Sequence, residues 1–131
     1  MKKLFVLALA ALTFYACQES LDEKAAQEAK LYTQKNCPAK LGENLMMDSL
    51  SFEATTHTLH YYYTLSGVAD SVGLLNDDDA RKALLTELRN TTTMMVYKQA
   101  GYRFAYSYRS QKDPKVILFE TVFSEKDYKK N

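Results

Sequence analysis

The chain has 131 residues, of which 47% are apolar and 25% are charged, so it can form one ordered domain and is too short for two. This composition also excludes a disordered or fibrous chain. The formal net charge is +1 and becomes −1 once an N-terminal segment with two lysines and no acid is removed, which argues against nucleic acid as a partner.

Residues 1–16 have the features of a secretory signal. Two lysines precede the apolar run Leu4–Phe14, which is too short to span a bilayer because a span needs about 20 apolar residues. Ala16 stands directly before Cys17, and this pair at the end of the run resembles a bacterial lipobox. The resemblance implies that Cys17 receives a diacylglycerol thioether and becomes the acylated first residue of the mature protein, so that acyl chains hold it on the membrane.

The lipobox divides the chain. We predict a lipoprotein signal peptide over residues 1–16, a lipid-anchored tether over residues 17–22 and a single α+β domain over residues 23–131, located in the bacterial cell envelope at the outer membrane. Tyr15 departs from the usual lipobox, as does Phe14, where leucine is usual. The alternative is plain secretion with cleavage at the same place.

The first predicted element of the domain is a helix of about four turns. A capping-box pattern, Ser20-x-x-Glu23, marks its start, and Pro38 follows its end. The apolar residues on its predicted buried face are Ala25, Ala29 and Tyr32.

Alternating apolar residues then predict a β-hairpin. The alternation runs over residues 49–54, is interrupted by turn-like residues 55–57 and resumes over residues 59–65. Its apolar positions are Leu50, Phe52 and Ala54 on the first strand and Leu59, Tyr61, Tyr63 and Leu65 on the second.

A second helix is predicted after a loop over residues 66–73. Acids at residues 77–79 suit the positive end of a helix, and the β-branched residues 91–93 should end it. The predicted buried positions are Ala80, Leu84, Leu85 and Leu88. Gly101 should end a further short helix over residues 94–100.

A second hairpin is predicted near the C-terminus. Residues 102–109 alternate aromatic and polar side chains, residues 111–114 form a turn, and residues 116–123 form the last strand. Because this strand is apolar at both alternating sets of positions, we expect it to be central or covered on both sides.

The order helix, hairpin, helix, hairpin indicates the α+β class. Short connections favour antiparallel pairing, so we predict one antiparallel four-stranded sheet with the helices packed on one face. Residues predicted to face the helices are Leu59, Tyr61, Tyr63, Tyr102, Phe104 and Tyr106. Residues predicted to be more exposed on the other face are His60, Tyr62, Arg103 and Arg109.

Several short motifs resemble those of small uncharacterised envelope lipoproteins of Bacteroidetes-type bacteria. The motifs are Asn36-Cys37-Pro38, Tyr61-Tyr62-Tyr63, Glu125-Lys126-Asp127-Tyr128 and the acidic stretch over residues 18–23. Asp48-Ser49-Leu50 and Asp70-Ser71-Val72 resemble the O-glycosylation sequence of the same group, the alternative being an ordinary strand entry or loop. The resemblance implies a fold and a location, and no activity.

Cys37 is the candidate nucleophile, because it is the one thiol left once Cys17 is acylated. A thiol-dependent enzyme would need His57 or His60 as its base. Pro38 follows Cys37 and has no backbone N–H, so one common oxyanion donor is missing. We expect a structural cysteine; the alternatives are the thiol-dependent enzyme and, if Cys17 escapes acylation, a Cys17–Cys37 disulfide.

The histidines and the acidic run do not predict a metal site. On a strand, the His57-x-x-His60 spacing sends the two rings to opposite faces. The acids at residues 77–79 lack the turn glycine and the closing glutamate of a calcium loop. The sequence also has no glycine-rich phosphate loop and no nucleophile elbow. We predict no catalytic residue, no metal and no cofactor.

The sequence thus predicts a non-enzymatic binding or interaction module, with Tyr62, Arg103 and Arg109 as the candidate partner-binding residues. Aromatic and arginine side chains supply many interface hot spots, and guanidinium groups bind carboxylates and phosphates. The expected partner, besides the membrane that holds the acyl chains, is an acidic protein segment or an anionic envelope polymer. The alternative is that this face is only a solvated sheet surface.

Overall fold

The computed structural model describes residues 21–73 and 76–129. The predicted signal peptide, Cys17 and Ser20 lie outside these ranges. Within them the elements are, in chain order, α1 (residues 21–36), β1 (Ala39–Gly42), β2 (Leu45–Glu53), β3 (Thr58–Leu65), a 3₁₀ turn (Gly67–Ala69), α2 (Asp77–Asn90), α3 (Met95–Gln99), β4 (Arg103–Ser110), β5 (Ile117–Phe123) and α4 (Glu125–Tyr128). None of the helices described is long and apolar enough to cross a bilayer.

The strands form one mixed five-stranded sheet in the order β1-β2-β3-β4-β5. Neighbouring strands are antiparallel except β3 and β4, which run parallel. The α+β class and both hairpins are confirmed, as β2–β3 and β4–β5, but the prediction of four antiparallel strands is wrong. The chain between Leu65 and Arg103 contains α2 and α3 and returns to the starting end of β3, which makes the next strand parallel.

The sequence pattern does not predict β1 or the first part of β2, and the reason is local. β1 has four residues, and its one large apolar side chain, Leu41, is 55% exposed. In β2 the pairing with β3 shifts between Met47 and Ser49, so Asp48 is an extra residue and the buried Met47 and Leu50 lie three positions apart. Simple alternation starts only after this bulge.

The prediction that the last strand is central or covered on both sides is wrong. β5 is an edge strand that pairs with β4 alone. Phe119 and Phe123 are buried toward the helices, whereas Val122 on the other face is 47% exposed. Single exposed apolar side chains are common on protein surfaces, so apolar residues on both alternations do not establish that both faces are covered.

α1 packs on the sheet through two alanines and a threonine. Ala25 and Ala29 are buried, as predicted, but Tyr32 is exposed. Thr33 faces the sheet in its place: its hydroxyl donates to the Leu50 carbonyl and accepts from the Leu50 N–H, both at 2.9 Å. Because β1 is too short to reach this part of β2, the threonine satisfies backbone groups that no strand covers.

α2 begins and ends where the sequence predicts. The Asn76 side chain accepts from the Asp79 N–H at 3.1 Å, and Thr91 follows the last helical residue. Leu88 is buried, while Ala80, Leu84 and Leu85 are half-buried. The predicted short helix is α3, and Gly101 follows it with a φ of 80°.

The four helices within residues 21–73 and 76–129 all contribute to one core on one face of the sheet. Their buried apolar side chains are Ala25 and Ala29 of α1, Leu88 of α2, Tyr97 of α3 and Tyr128 of α4. They pack against one alternating set of sheet residues, which includes Leu50, Leu59, Phe104, Tyr106 and Phe123. The opposite face of the sheet is called the open face below.

Lys98 of α3 is buried against the C-terminal end of α2. Its ammonium donates to the carbonyl oxygens of Leu88 at 2.7 Å and Thr91 at 2.6 Å, with Arg89 at 3.4 Å. The last carbonyls of a helix lack partners within the helix and carry partial negative charge, so a buried cation is stabilised there. This contact joins the two helices of the crossover.

Replacing Lys98 by methionine should lower the free energy of unfolding by about 1–3 kcal/mol, because buried carbonyls are left without partners. Urea unfolding followed by circular dichroism measures the change. Lys82 is exposed on α2, and Lys82→Met should change stability by less than about 0.5 kcal/mol. Equal effects of the two substitutions would show that Lys98 does not cap α2.

Candidate binding surfaces

Three side-chain hydrogen bonds link residues on the open face. Tyr62 stacks on His60, with ring centroids 4.0 Å apart, and its hydroxyl lies 3.1 Å from His60 Nδ1. His60 Nε2 lies 2.7 Å from Ser107 Oγ, and the Ser107 hydroxyl donates to Glu120 Oε1 at 3.1 Å. All three contacts are satisfied together if Tyr62 donates to Nδ1 and the histidine proton on Nε2 is donated to Ser107.

This network has the residue types of a serine–histidine–carboxylate site, but its geometry does not suit acyl transfer. The Ser107 hydroxyl donates to Glu120, whereas a nucleophilic serine must donate to its histidine base. Ser107 also lies in a strand paired on both sides, where the backbone N–H groups serve the sheet instead of an oxyanion. The network instead fixes the orientation of the His60 and Tyr62 rings.

The structure brings together two of the three predicted partner-binding residues. The guanidinium carbon of Arg109 lies 5.9 Å from the Tyr62 ring centroid, within range of a cation–π contact. Arg103 is on the same face of β4 but lies six residues away, about 20 Å at roughly 3.3 Å per residue. Within residues 21–73 and 76–129, no carboxylate lies at ion-pair distance from either arginine.

The predicted division between the two faces agrees with the strand register, but burial departs from it at five residues. Tyr62 and Arg109, predicted to be more exposed, are half-buried. Buried as predicted are Leu59, Tyr102, Phe104 and Tyr106, and exposed as predicted is Arg103. The His60 side chain is only 13% exposed, because the Tyr62 ring covers it. Tyr61 and Tyr63 are half-buried instead of buried, because the helices do not close over this part of the sheet.

A groove of about 290 Å³ opens where α2 leaves the sheet uncovered; we call it the tyrosine groove. Two stacked pairs form its floor, Tyr61 with Tyr106 at 5.0 Å between ring centroids and Tyr63 with Tyr108 at 4.6 Å. Each pair joins residues directly opposite on β3 and β4. The one charged residue among its described lining residues is Glu87 of α2.

The electrostatics of the tyrosine groove favour neutral phenols. Burial is the main cause that raises the pKa of all four tyrosines, and the Glu87 carboxylate adds to it. The pKa of Tyr108 rises to about 12, and burial raises those of Tyr61, Tyr63 and Tyr106 further. The hydroxyl groups therefore remain able to donate and to accept hydrogen bonds at neutral pH.

Sequence reasoning missed Glu87 and assigned Tyr61, Tyr63 and Tyr106 to the core. Glu87 lies three residues after Leu84 and next to Leu88, at the edge of the apolar stripe of α2. That position on the helix is the signal that points to a carboxylate beside the aromatic strand residues. The sequence does not contain the tilt and position of α2, which decide whether the tyrosines are covered.

The structure does not bring Cys37 together with either histidine. Cys37 follows α1, and burial, with a smaller contribution from the Asp48 carboxylate, raises the pKa of its thiol. His57 lies at the other end of α1, about 22 Å away along the helix, with Nε2 3.2 Å from an Asp22 oxygen. His60 points to the open face. A raised pKa leaves less thiolate, so this geometry gives no support to the thiol-dependent enzyme.

Across the two described ranges, no group of three or more histidine, cysteine or acidic side chains is arranged to hold a metal ion. His57 lies in the β2–β3 turn, with a φ of 51°, whereas His60 lies on β3. The three acids at residues 77–79 form the first turn of α2.

Comparison with known families matches most of the described chain to a family model. The family model described as a domain of unknown function (DUF8479) matches residues 20–119, which is more than half of the chain. A comparison with curated proteins gives no significant match.

Solved structures with a similar fold include three bacterial proteins. A protein from Pseudomonas aeruginosa described as secreted has a TM-score of 0.67 at 14% identity, covering 82% of this chain and 95% of that one. The type 2 secretion system pilotin EpsS from Vibrio vulnificus has a TM-score of 0.67 at 10% identity, covering 86% and 96%. The type II secretion system pilotin AspS from Vibrio cholerae has a TM-score of 0.63 at 10% identity, covering 87% and 97%. At these identities the likeness shows a shared fold.

The raised tyrosine pKa values predict a loss of stability at alkaline pH. In the folded state the buried phenols stay protonated, whereas a tyrosine in the unfolded chain ionises with a pKa of about 10. The contribution of these protonated phenols to the free energy of unfolding is therefore fully present below about pH 10. It falls as pH rises toward the folded-state pKa, which is about 12 for Tyr108 and Tyr128. Urea unfolding at a series of pH values should show this decline, and Tyr108→Phe should make it shallower.

The matching spectroscopic result is that phenolate absorbance from these residues rises together with the loss of circular dichroism. The prediction would be contradicted if the buried tyrosines ionised fully at about pH 10 while the chain kept its native circular dichroism.

Proposed function

The chain belongs to the family of the domain of unknown function DUF8479, and we propose that it is a lipid-anchored, non-enzymatic binding module of the bacterial envelope. The observation that carries the proposal is the contact of Arg109 with Tyr62 on the open face. Tyrosine and arginine are enriched among interface hot spots. The hydrogen bond and stacking with His60 hold the Tyr62 ring in place, which reduces the entropy lost on binding.

The proposed partner carries an anionic group. The Arg109 guanidinium presents planar donors that match a carboxylate or phosphate, and no described carboxylate occupies it at ion-pair distance. An acidic protein segment and an anionic envelope polymer both supply such groups. The Tyr62 ring beside the cation favours the protein segment, because it offers an apolar surface to a neighbouring side chain.

The proposed anchor, Cys17, limits how far the domain can lie from the membrane. Residue 21 is four positions after Cys17, so the start of α1 would lie within about 14 Å of the lipid at roughly 3.5 Å per residue. At this end Asp22 pairs with His57, and the Arg103 N–H donates to the His57 carbonyl. Arg109 lies near the other end of β4, about 20 Å from Arg103 along the strand, and so would be farther from the anchored end. The fold shared with pilotins and with a protein described as secreted supports a location in the envelope.

Replacing Cys17 by serine should move the protein from the membrane to the soluble fraction, because serine cannot form the thioether. Detergent phase partition of whole-cell extracts measures the change. Cys37→Ser is the matched control and should leave the protein in the detergent phase. Retention of the Cys17→Ser protein in the detergent phase would place the anchor elsewhere in the chain.

The Tyr62→Ala, Arg109→Ala double variant should lose capture of its partner from envelope extract. Truncating a true hot spot weakens binding by about 2 kcal/mol or more, roughly 30-fold. Arg103→Ala is the matched control, because it removes the same charge from the same strand about 20 Å away. The experiment compares captured proteins and polysaccharides by mass spectrometry. The proposal fails if the double variant captures the same molecules as the original protein, or if Arg103→Ala abolishes capture equally.

A further inference from the structure

The tyrosine groove has the chemistry of a cation site. We propose that it binds the ammonium group of a lysine side chain presented by a protein partner. The proposal rests on the carboxylate, the aromatic floor and the apolar walls of the groove. It does not depend on the open face, because the groove lies on the opposite side of the sheet.

Glu87 gives the groove its charge. Its side chain is exposed, and in the part of the chain that the structure describes no lysine or arginine pairs with it. The carboxylate contributes to the raised pKa of the four groove tyrosines, which places its charge near their hydroxyl groups. A cation entering the groove is therefore attracted, and an anion is repelled.

The aromatic floor adds a second attraction. In both stacked pairs one face of each ring is covered by its partner ring, so the floor attracts an ammonium group mainly through its hydroxyl oxygens. The tyrosine hydroxyls with a side-chain or backbone partner among the described residues are those of Tyr62, Tyr97, Tyr102 and Tyr128. The hydroxyl groups of the four groove tyrosines have no such partner among the described residues. Their oxygens can therefore accept hydrogen bonds from the three N–H donors of an ammonium group.

The walls of the groove suit an aliphatic stem. Leu84, Leu88 and Met94 line the groove together with Glu87. Lysine places its methylene groups along apolar surface while its ammonium stays in a polar setting. A volume of about 290 Å³ lies at the lower limit for small-molecule sites, so the groove accommodates one side chain and not a large cofactor.

The rim of the groove indicates a protein as the source of the amine. The lining residue Leu41 is 55% exposed, and the lining residues Leu45 and Met94 are half-buried. Exposed apolar side chains beside a pocket favour a macromolecular surface over a free amine as the group that covers them. An ammonium group held only by an exposed carboxylate and the groove tyrosines binds with about millimolar affinity. A stable complex therefore also needs contact between the apolar rim and the surface of the partner.

The first test titrates the full chain, labelled at its tyrosine rings, with N-acetyl-lysine methylamide and follows the ring signals by NMR. The signals of Tyr61, Tyr63, Tyr106 and Tyr108 should shift saturably, with a Kd in the millimolar range. The norleucine analogue has the same stem without the ammonium and should cause no shift. Glu87→Gln should weaken binding of the lysine probe about fivefold or more.

Asp78→Asn is the matched control, because it removes an equal charge from an exposed position on the same helix. Binding to this variant should remain within about twofold of the original. Equal shifts with the lysine and norleucine probes, or unchanged binding after Glu87→Gln, would overturn the proposal. Cadaverine tests the source of the amine: binding about tenfold tighter than that of the lysine probe would make this a site for small amines and would refute the protein partner.

The second test treats membranes that contain the protein with a carbodiimide, which joins a carboxylate to an amine in direct contact. The expected product is an amide between Glu87 and a lysine of another protein, located by mass spectrometry. It should be lost in Glu87→Gln and retained in Asp78→Asn and in the Tyr62→Ala, Arg109→Ala variant. Coupling at other surface carboxylates with none at Glu87 would refute the proposal even if the open face binds its own partner.

Discussion

β3 and β4 run parallel with Tyr61 opposite Tyr106 and Tyr62 opposite Ser107, and this pairing determines what stands on each face of the sheet. Because side chains alternate along a strand, one set of positions forms the stacked tyrosine pairs on the helix side. The other set forms the hydrogen-bond network and the aromatic–arginine contact on the open face. A register shift of one residue would exchange the two sets and bury the arginines. The parallel direction depends on the α2–α3 crossover, which the buried Lys98 holds together.

The elements that the sequence predicts correctly are those with local signals. Asn76, the acids after it and Thr91 mark the ends of α2 without reference to the rest of the chain, and each hairpin contains its own turn. The direction of β4 relative to β3 has no local signal, because it depends on where a long crossover returns the chain. The bulge at Asp48 is a different, local case: the extra residue interrupts the alternation from which a strand is recognised. The strand direction, by contrast, could not be predicted because distant segments decide it.

The difference between local and long-range signals also explains which parts of the candidate sites could be predicted. A contact between Tyr62 and an arginine of β4 required only that β3 and β4 be neighbours, which the alternation of aromatic and polar residues indicates. Which arginine joins Tyr62 depends on strand direction: in the parallel sheet Arg109 pairs with Thr64, two residues from Tyr62, while Arg103 pairs with Thr58 at the far end. The tyrosine groove was not predictable in this way. Tyr61 and Tyr63 share their alternation with the buried Leu59, and only the position of α2 distinguishes a covered ring from an open one.

Each of the two proposed surfaces attracts its own ligand and repels the ligand of the other surface. An anionic segment is attracted to Arg109 and repelled by Glu87, whereas a lysine is attracted to Glu87 and repelled by Arg109. Both surfaces stand on β3 and β4, but each uses a different alternating set of side chains, so a substitution on one face leaves the side chains of the other in place. Partners on the two faces therefore need not compete, and a single partner that engages both must pass around an edge of the sheet. β1 is the edge nearest the groove, and its exposed Leu41 makes that route partly apolar.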